Sequence, residues 1–209
     1  MSLKPFSLVV VSPPEQVANE VELLVELFRQ GLLTAHIRKP DWTLAELEAY
    51  LQLVPAPYHQ RLVLHSHHKL ALRYKLKGIH LTEKSRSKPT TTTLLRQLRG
   101  QSVSASFHSL EAVVGHRRPY DYVFLSPIFD STSKADYRSN FRLEQVQEAL
   151  RRWQGRRGYI PQVVALGGIT PHNIRQVQQA GFAGAAVLGG IWQQPDPLVA
   201  FQQLQSEIS

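Results

Sequence analysis

Short apolar runs recur along this chain at fairly even spacing, and helical patterns fill the gaps between them. The runs are 7–11, 34–38, 61–65, 78–81, 102–106, 122–125, 162–166 and 184–188. Two of them, Val163 to Leu166 and Ala185 to Leu188, are continuously apolar, which suits strands covered on both faces. Residues 16–29 keep Val17, Val21, Leu24, Val25 and Phe28 on an i, i+3/i+4 rhythm, the mark of a helix with one buried face. Residues 43–53 open on Thr43 with Glu46 following, a capping-box pattern. Further helices are predicted over 92–98, from Ser109 onward, over 142–153, over 171–180 and from Pro197. Thr170 and Pro171 look like an N-cap and a first helical residue.

Eight strands alternating with about eight helices in 209 residues predict an α/β fold, a single compact (β/α)8 TIM barrel over 1–209. An open doubly wound sheet would more often carry a Gly-x-Gly-x-x-Gly turn after its first strand. Ser12-Pro13-Pro14 stands there instead. No linker, second domain or low-complexity segment interrupts the alternation.

A barrel gathers its reactive groups at the C-terminal ends of its strands. Taken in order, those ends carry His36 and Arg38; His65, Ser66 and His67; His80; Ser104, Ser106 and His108; and Ser126. A long loop to Asn140 follows Ser126, and its length suits a lid. The last two ends carry glycine corners, Gly167-Gly168 and Gly189-Gly190. Either corner alone would read as a tight turn. Two of them on neighbouring strands, each leading toward a helix, make a suitable cradle for a phosphate.

Composition narrows the partners. The chain is 43% hydrophobic and 19% charged, enough apolar material for a core and too little charge for disorder. It has no cysteine, which excludes disulfides, thiol nucleophiles and cysteine-ligated metals. Met1 to Pro5 precede no long apolar segment, and the run from Phe6 to Val11 is too short to span a bilayer. A cytoplasmic location without membrane attachment is expected. The formal charge of +8 favours anionic partners. Much of the excess sits in Arg117-Arg118, Arg151-Arg152 and Arg156-Arg157, beside predicted helix ends, so a solvated face fits better than a nucleic-acid footprint.

Seven segments in order resemble the thiamine phosphate synthase/TenI superfamily. They are HIRK (36–39), LHSH (64–67), GIHL (78–81), SASFHSLEA (104–112), YDYVFLSPIFDSTSK (120–134), VVALGGITPHN (163–173) and GFAGAAVLGG (181–190). The resemblance implies a phosphate-binding (β/α)8 barrel that handles the thiazole half of thiamine. Synthases of this family join thiazole phosphate to a pyrimidine methyl diphosphate. TenI-type relatives include tautomerases that aromatise a carboxythiazole phosphate.

The departures from the synthase pattern carry information. Where synthases read Gln-x-Arg-x-Lys, this chain has His36-Ile37-Arg38-Lys39-Pro40, and the His-Ile-Arg triplet looks like TenI. Where they read Asn-Asp-Arg, it has His65-Ser66-His67, and after the next strand it runs Thr82-Glu83-Lys84-Ser85. The two missing aspartates belong to the family's magnesium and diphosphate site, and Mg²⁺ is a hard ion that wants carboxylates. That clamp is therefore absent unless Glu83 substitutes.

The resemblance assigns His108 the role of acid and base in a metal-independent tautomerisation, a task that imidazole chemistry near neutrality suits. The competing role is capping or rim packing. His36, His65, His67, His80, Ser104, Ser106 and Ser126 are expected to line the substrate site, and Arg38 to bind an anionic group through its planar fork. Ser104 and Ser106 could equally satisfy neighbouring backbone. Ser131, Ser133 and Lys134 match the family's Thr-x-Thr-Lys loop, with the lysine kept. His65, His67 and His68 with His80 invite a zinc reading, but no carboxylate accompanies them at ligand spacing, so a polar wall and no metal are expected.

The expected ligand is a small phosphorylated thiazole; magnesium enters only if the chain is a synthase with a rebuilt diphosphate site. A catalytically silent phosphate-binding regulator is the third reading, and a homo-oligomer is compatible with all three.

Overall fold

A computed structural model describes residues 6–98, 100–130, 139, 141–154, 159 and 161–209. The eight strands are β1 (Ser7–Val11), β2 (Ala35–Ile37), β3 (Leu62–Leu64), β4 (Gly78–Leu81), β5 (Ser102–Phe107), β6 (Tyr122–Leu125), β7 (Gln162–Leu166) and β8 (Gly184–Val187). All pair in parallel, each with its neighbours in sequence, and β1 pairs with β8 to close the ring. This is the (β/α)8 barrel that the spacing predicts.

The helices around it are α1 (Glu20–Arg29), α2 (Leu44–Leu53), α3 (Lys69–Arg73), α4 (Glu83–Arg86), α5 (Pro89–Gln97), α6 (Leu110–Gly115), α7 (Leu143–Gln154), α8 (Ile174–Gln179), α9 (Gly189–Trp192) and α10 (Pro197–Ile208). A 3₁₀ turn over Ala56–Arg61 precedes β3. The Thr43–Glu46 capping box forms as predicted, and Ser109 Oγ accepts from the backbone N–H of Ala112 at the start of α6. The α8 start differs from its expectation. Thr170 and Pro171 lie in a turn before it, because Asn173 Oδ1 accepts from the Thr170 N–H and Asn173 Nδ2 donates to the Gly168 carbonyl. Between β4 and β5 the single predicted helix becomes the pair α4 and α5.

Alternation along the strands divides the core in two. Outward residues such as Ile37, Leu64, Ile79, Leu81, Val123 and Ala165 pack against the helices in the main cluster. Inward residues Val9, Val11, Phe124, Val164 and Ala186 form a separate small cluster inside the ring. The base of the ring is tight at two opposite strands. A Cβ on Gly78, which starts β4, would strike the Ser102 carbonyl oxygen; one on Gly184, which starts β8, would strike that of Ser7.

Among the described residues one ion pair is fully buried. Lys39 Nζ donates to Glu20 Oε2 at 2.6 Å and to the Glu15 carbonyl at 2.7 Å, and the Tyr50 hydroxyl donates to Glu20 Oε1 at 3.0 Å. Lys39 also lies 4.8 Å from the centre of the Trp42 ring. Lys39 thus faces residues of α1 and of the segment before α2.

Candidate active site

The strands β5 to β8 bring their C-terminal ends into one continuous arc. His108 follows β5 and is exposed. Its Nδ1 lies 2.9 Å from the carbonyl oxygen of Ser126, at the end of the neighbouring β6. A carbonyl oxygen only accepts, so Nδ1 carries the hydrogen, and neutral His108 keeps its lone pair on Nε2. Ser126 itself is buried, with 5% exposure, and orients His108 through its carbonyl.

The chain after Ser126 then meets the first glycine corner. Gly167 and Gly168 have φ of 102° and 62°, a region open to glycine and strained for other residues. A Cβ on Gly167 would lie 2.8 Å from Pro127 Cβ, and one on Gly168 would be 2.7 Å from Phe129 Cβ. The protein's own 127–130 segment thus occupies that side of the corner. A Cβ on Gly190 would meet the Ile169 carbonyl oxygen, so both corners lie side by side, as predicted. Gly189 and Gly190 are the first residues of α9 and not the turn the sequence suggested; Leu188 caps them. Their amide groups belong to the first turn of that short helix, an end where anions are favoured.

Across the barrel, β2 to β6 carry the polar residues inward. His36 Nδ1 lies 2.8 Å from His65 Nε2, and His36 Nε2 lies 2.6 Å from the Tyr122 hydroxyl. His80 Nδ1 and Nε2 contact Ser104 Oγ at 2.8 Å and Ser106 Oγ at 2.7 Å. The His65 and His80 rings stack at 4.3 Å, and Phe124 packs on His36 and His80 at 4.7 and 4.6 Å. His36, His80 and Ser104 have no exposed surface, so they form a layer beneath the mouth and do not line its wall. His65 and Ser106 are half-buried and reach it.

Burial holds these imidazoles neutral. It lowers His36 and His65 well below the usual histidine range, with smaller contributions from neighbouring histidines and from Lys77 or Arg38. His80 is lowered to about 3, again chiefly by burial. Burial and the nearby Asp121 push the Tyr122 phenol upward, against an opposing hydrogen bond with Ser104. Tyr122 was not singled out from sequence; its place two residues before Phe124 on β6, hence on the same face, was the available signal.

His67 does not join this group. β3 ends at Leu64, the backbone of His67 has φ 46°, and its Nε2 lies 2.7 Å from the Trp42 carbonyl. The two-residue strand period that would have placed it beside His65 therefore stops too early. His67, His65 and Ser66 line a groove of about 480 Å³ together with Lys69, Lys84, Ser85 and Lys88. No carboxylate lines the groove, and Glu83 is not among its lining residues. Arg38 is half-buried, close enough to His65 to depress its basicity, and makes no ion pair among the described residues. Ser131, Ser133 and Lys134 lie outside the described residues.

Residues 8–191 match the family described as thiamine monophosphate synthase. The chain is 29% identical to a thiamine-phosphate synthase of Shouchella clausii, covering 97% of this chain and 96% of that one. With a thiamine-phosphate synthase of Latilactobacillus sakei it shares 30% identity over 70% of this chain; the match spans only 63% of that protein. Among solved structures, it resembles the thiamine phosphate pyrophosphorylase of Bacteroides thetaiotaomicron, with 32% identity, 97% coverage of both chains and a TM-score of 0.78. No helix among the described residues is long and apolar enough to cross a membrane.

Proposed function

The chain belongs to the thiamine monophosphate synthase/TenI family, and from that premise we propose that it shifts a proton on a thiazole phosphate, using His108 and no magnesium. The observation that supports this reading is the hydrogen bond from His108 Nδ1 to the Ser126 carbonyl. It fixes the tautomer and turns Nε2 into the free base at an exposed position beside the glycine corners. Nε2 takes a proton from carbon, and the resulting imidazolium returns one at another atom of the ring. Rigid placement of the phosphate by Gly167, Gly168, Gly189 and Gly190 would hold the carbon within reach. Arg38 is suited to a carboxylate on the same substrate.

Two features support a reaction without the magnesium clamp. Ser66 Oγ donates to the Lys39 carbonyl at 3.1 Å and Ser85 Oγ to the Thr82 carbonyl at 3.0 Å, where synthases carry aspartates. The groove beside them presents three lysines and no acid. Synthesis of thiamine phosphate is the second reading, favoured by the names of the relatives.

Incubation with a carboxythiazole phosphate in heavy water separates the two. Deuterium uptake and ring isomerisation are expected, falling about 10²- to 10⁴-fold in His108→Ala. Isomerisation at the parental rate in a folded His108→Ala protein would refute the assignment. Mg²⁺-dependent thiamine phosphate formation from thiazole phosphate and pyrimidine methyl diphosphate would install the synthase reading instead.

A further inference from the structure

We propose that His36, His65 and His80 form a binding site for a divalent transition-metal ion, zinc being the best fit, inside the mouth of the barrel. One ring nitrogen from each histidine lies within 4.8 Å of the others. Three imidazoles with one open position are a recurrent zinc arrangement, with metal–nitrogen bonds of about 2.0–2.1 Å. Tetrahedral ligands around such an ion stand roughly 3.3 Å apart. The His36 Nδ1–His65 Nε2 contact of 2.8 Å opens slightly, with the ion replacing the shared hydrogen, and the His65 ring turns out of its 4.3 Å stack on His80 so that both lone pairs meet the ion. The sequence suggested a different set, His65, His67, His68 and His80; the fold replaces His67 and His68 with His36.

For two of the three rings the surroundings supply what a histidine ligand requires on its far side. A ligating imidazole ordinarily donates its other N–H to a fixed acceptor, which sets its tautomer and orientation. With His36 bound through Nδ1, its Nε2–H meets the Tyr122 hydroxyl at 2.6 Å. Whichever nitrogen His80 turns to the ion, the other retains a serine hydroxyl, Ser104 or Ser106. Phe124 packs against the rings of both His36 and His80, fixing their planes.

Three neutral ligands leave the ion its full charge, and Arg38 lies nearby. The open position would therefore take an anion, hydroxide or an oxygen of a ligand's phosphate or carboxylate. His65, the half-buried member, lines the basic groove and gives that position its access. Oxygen-seeking Mg²⁺ has no carboxylate here and is a poor occupant. The site is independent of the role given to His108 and does not rest on the proposed reaction.

The test uses the full chain, stripped of metal with a chelator and then titrated with Co²⁺ in the absence of substrate. One equivalent should produce the intense visible bands of a low-coordinate cobalt complex, displaced by one equivalent of Zn²⁺. His65→Gln, at the rim, should abolish the bands, and Tyr122→Phe should weaken binding about 10- to 100-fold. His67→Ala and His68→Ala should leave it unchanged. X-ray absorption on the zinc-loaded parent should count three imidazoles, a readout that needs no variant. Absence of saturable uptake, fewer than three imidazoles, survival of the bands in folded His65→Gln, or their loss in His67→Ala would each overturn the proposal.

Discussion

The two halves of the barrel interior are built by opposite rules. On β7, β8 and β1 the inward residues are Val164, Leu166, Ala186, Val9 and Val11, an apolar wall beneath the glycine corners. On β2 to β6 they are His36, His80, Ser104, Ser106 and Tyr122 around the lone inward valine Val63, with His65 above β3. Phe124 is the seam, clustering with the valines while packing on two histidines. The apolar half needs only packing, so it tolerates no hydroxyl without a partner. The polar half is satisfied link by link, and each link depends on its neighbours keeping a particular proton arrangement. Fixed shape lies on one side; adjustable hydrogen bonds sit on the other.

Acid should separate the halves most strongly. His36, His65 and His80 titrate below the unfolded value of about 6.5, so the unfolded chain binds more protons between that pH and the lowered folded values. Their contribution is present in full above about pH 6.5 and is lost as pH falls, at up to about 1.4 kcal/mol per pH unit for each. For His80 the loss continues to about 3. Urea melts of the metal-free protein between pH 7.5 and 5 should show it, and His80→Gln should flatten the slope; a pH-independent midpoint would contradict the neutral assignment.

Phe124→Ala should follow in size, since deleting a buried phenyl costs about 3–5 kcal/mol and here also frees two imidazole planes. Chemical denaturation measures it. Val164→Thr, nearly isosteric, buries a hydroxyl in the apolar half and should cost about 1–3 kcal/mol. The smallest effect belongs to Ser106→Ala. Its site is half-buried, water can take the hydroxyl's place on His80, and a loss under about 1 kcal/mol is expected. If Ser106→Ala destabilised more than Val164→Thr, the contrast between the halves would fail.

The strands were legible because their apolar runs are short and evenly spaced; four of the eight, β1, β4, β6 and β7, begin and end where the pattern places them. The rim order was legible too, since parallel strands put every C-terminal end on one side. What failed were local choices. Asn173 captures the Thr170 N–H and delays α8, and a left-handed backbone at His67 turns it out of the strand period. Nothing in the spacing announces that Lys39 pairs with Glu20, because that contact joins residues 19 apart on different elements. Burial was the other hidden variable: inward direction could be read for His36, His80 and Ser104, whereas depth below the mouth depends on how the ring closes.

The glycines that start β4 and β8 set a limit on how this barrel can diversify. Their strands touch the adjoining backbone, Ser102 and Ser7, so closely that any added carbon would have to prise the ring open at its foot. Girth at that end is therefore set by main chain alone and offers side-chain substitution no purchase. Accommodation of a bulkier ligand must come from the loops that crown the strands, which can lengthen or change sequence without disturbing the closure below.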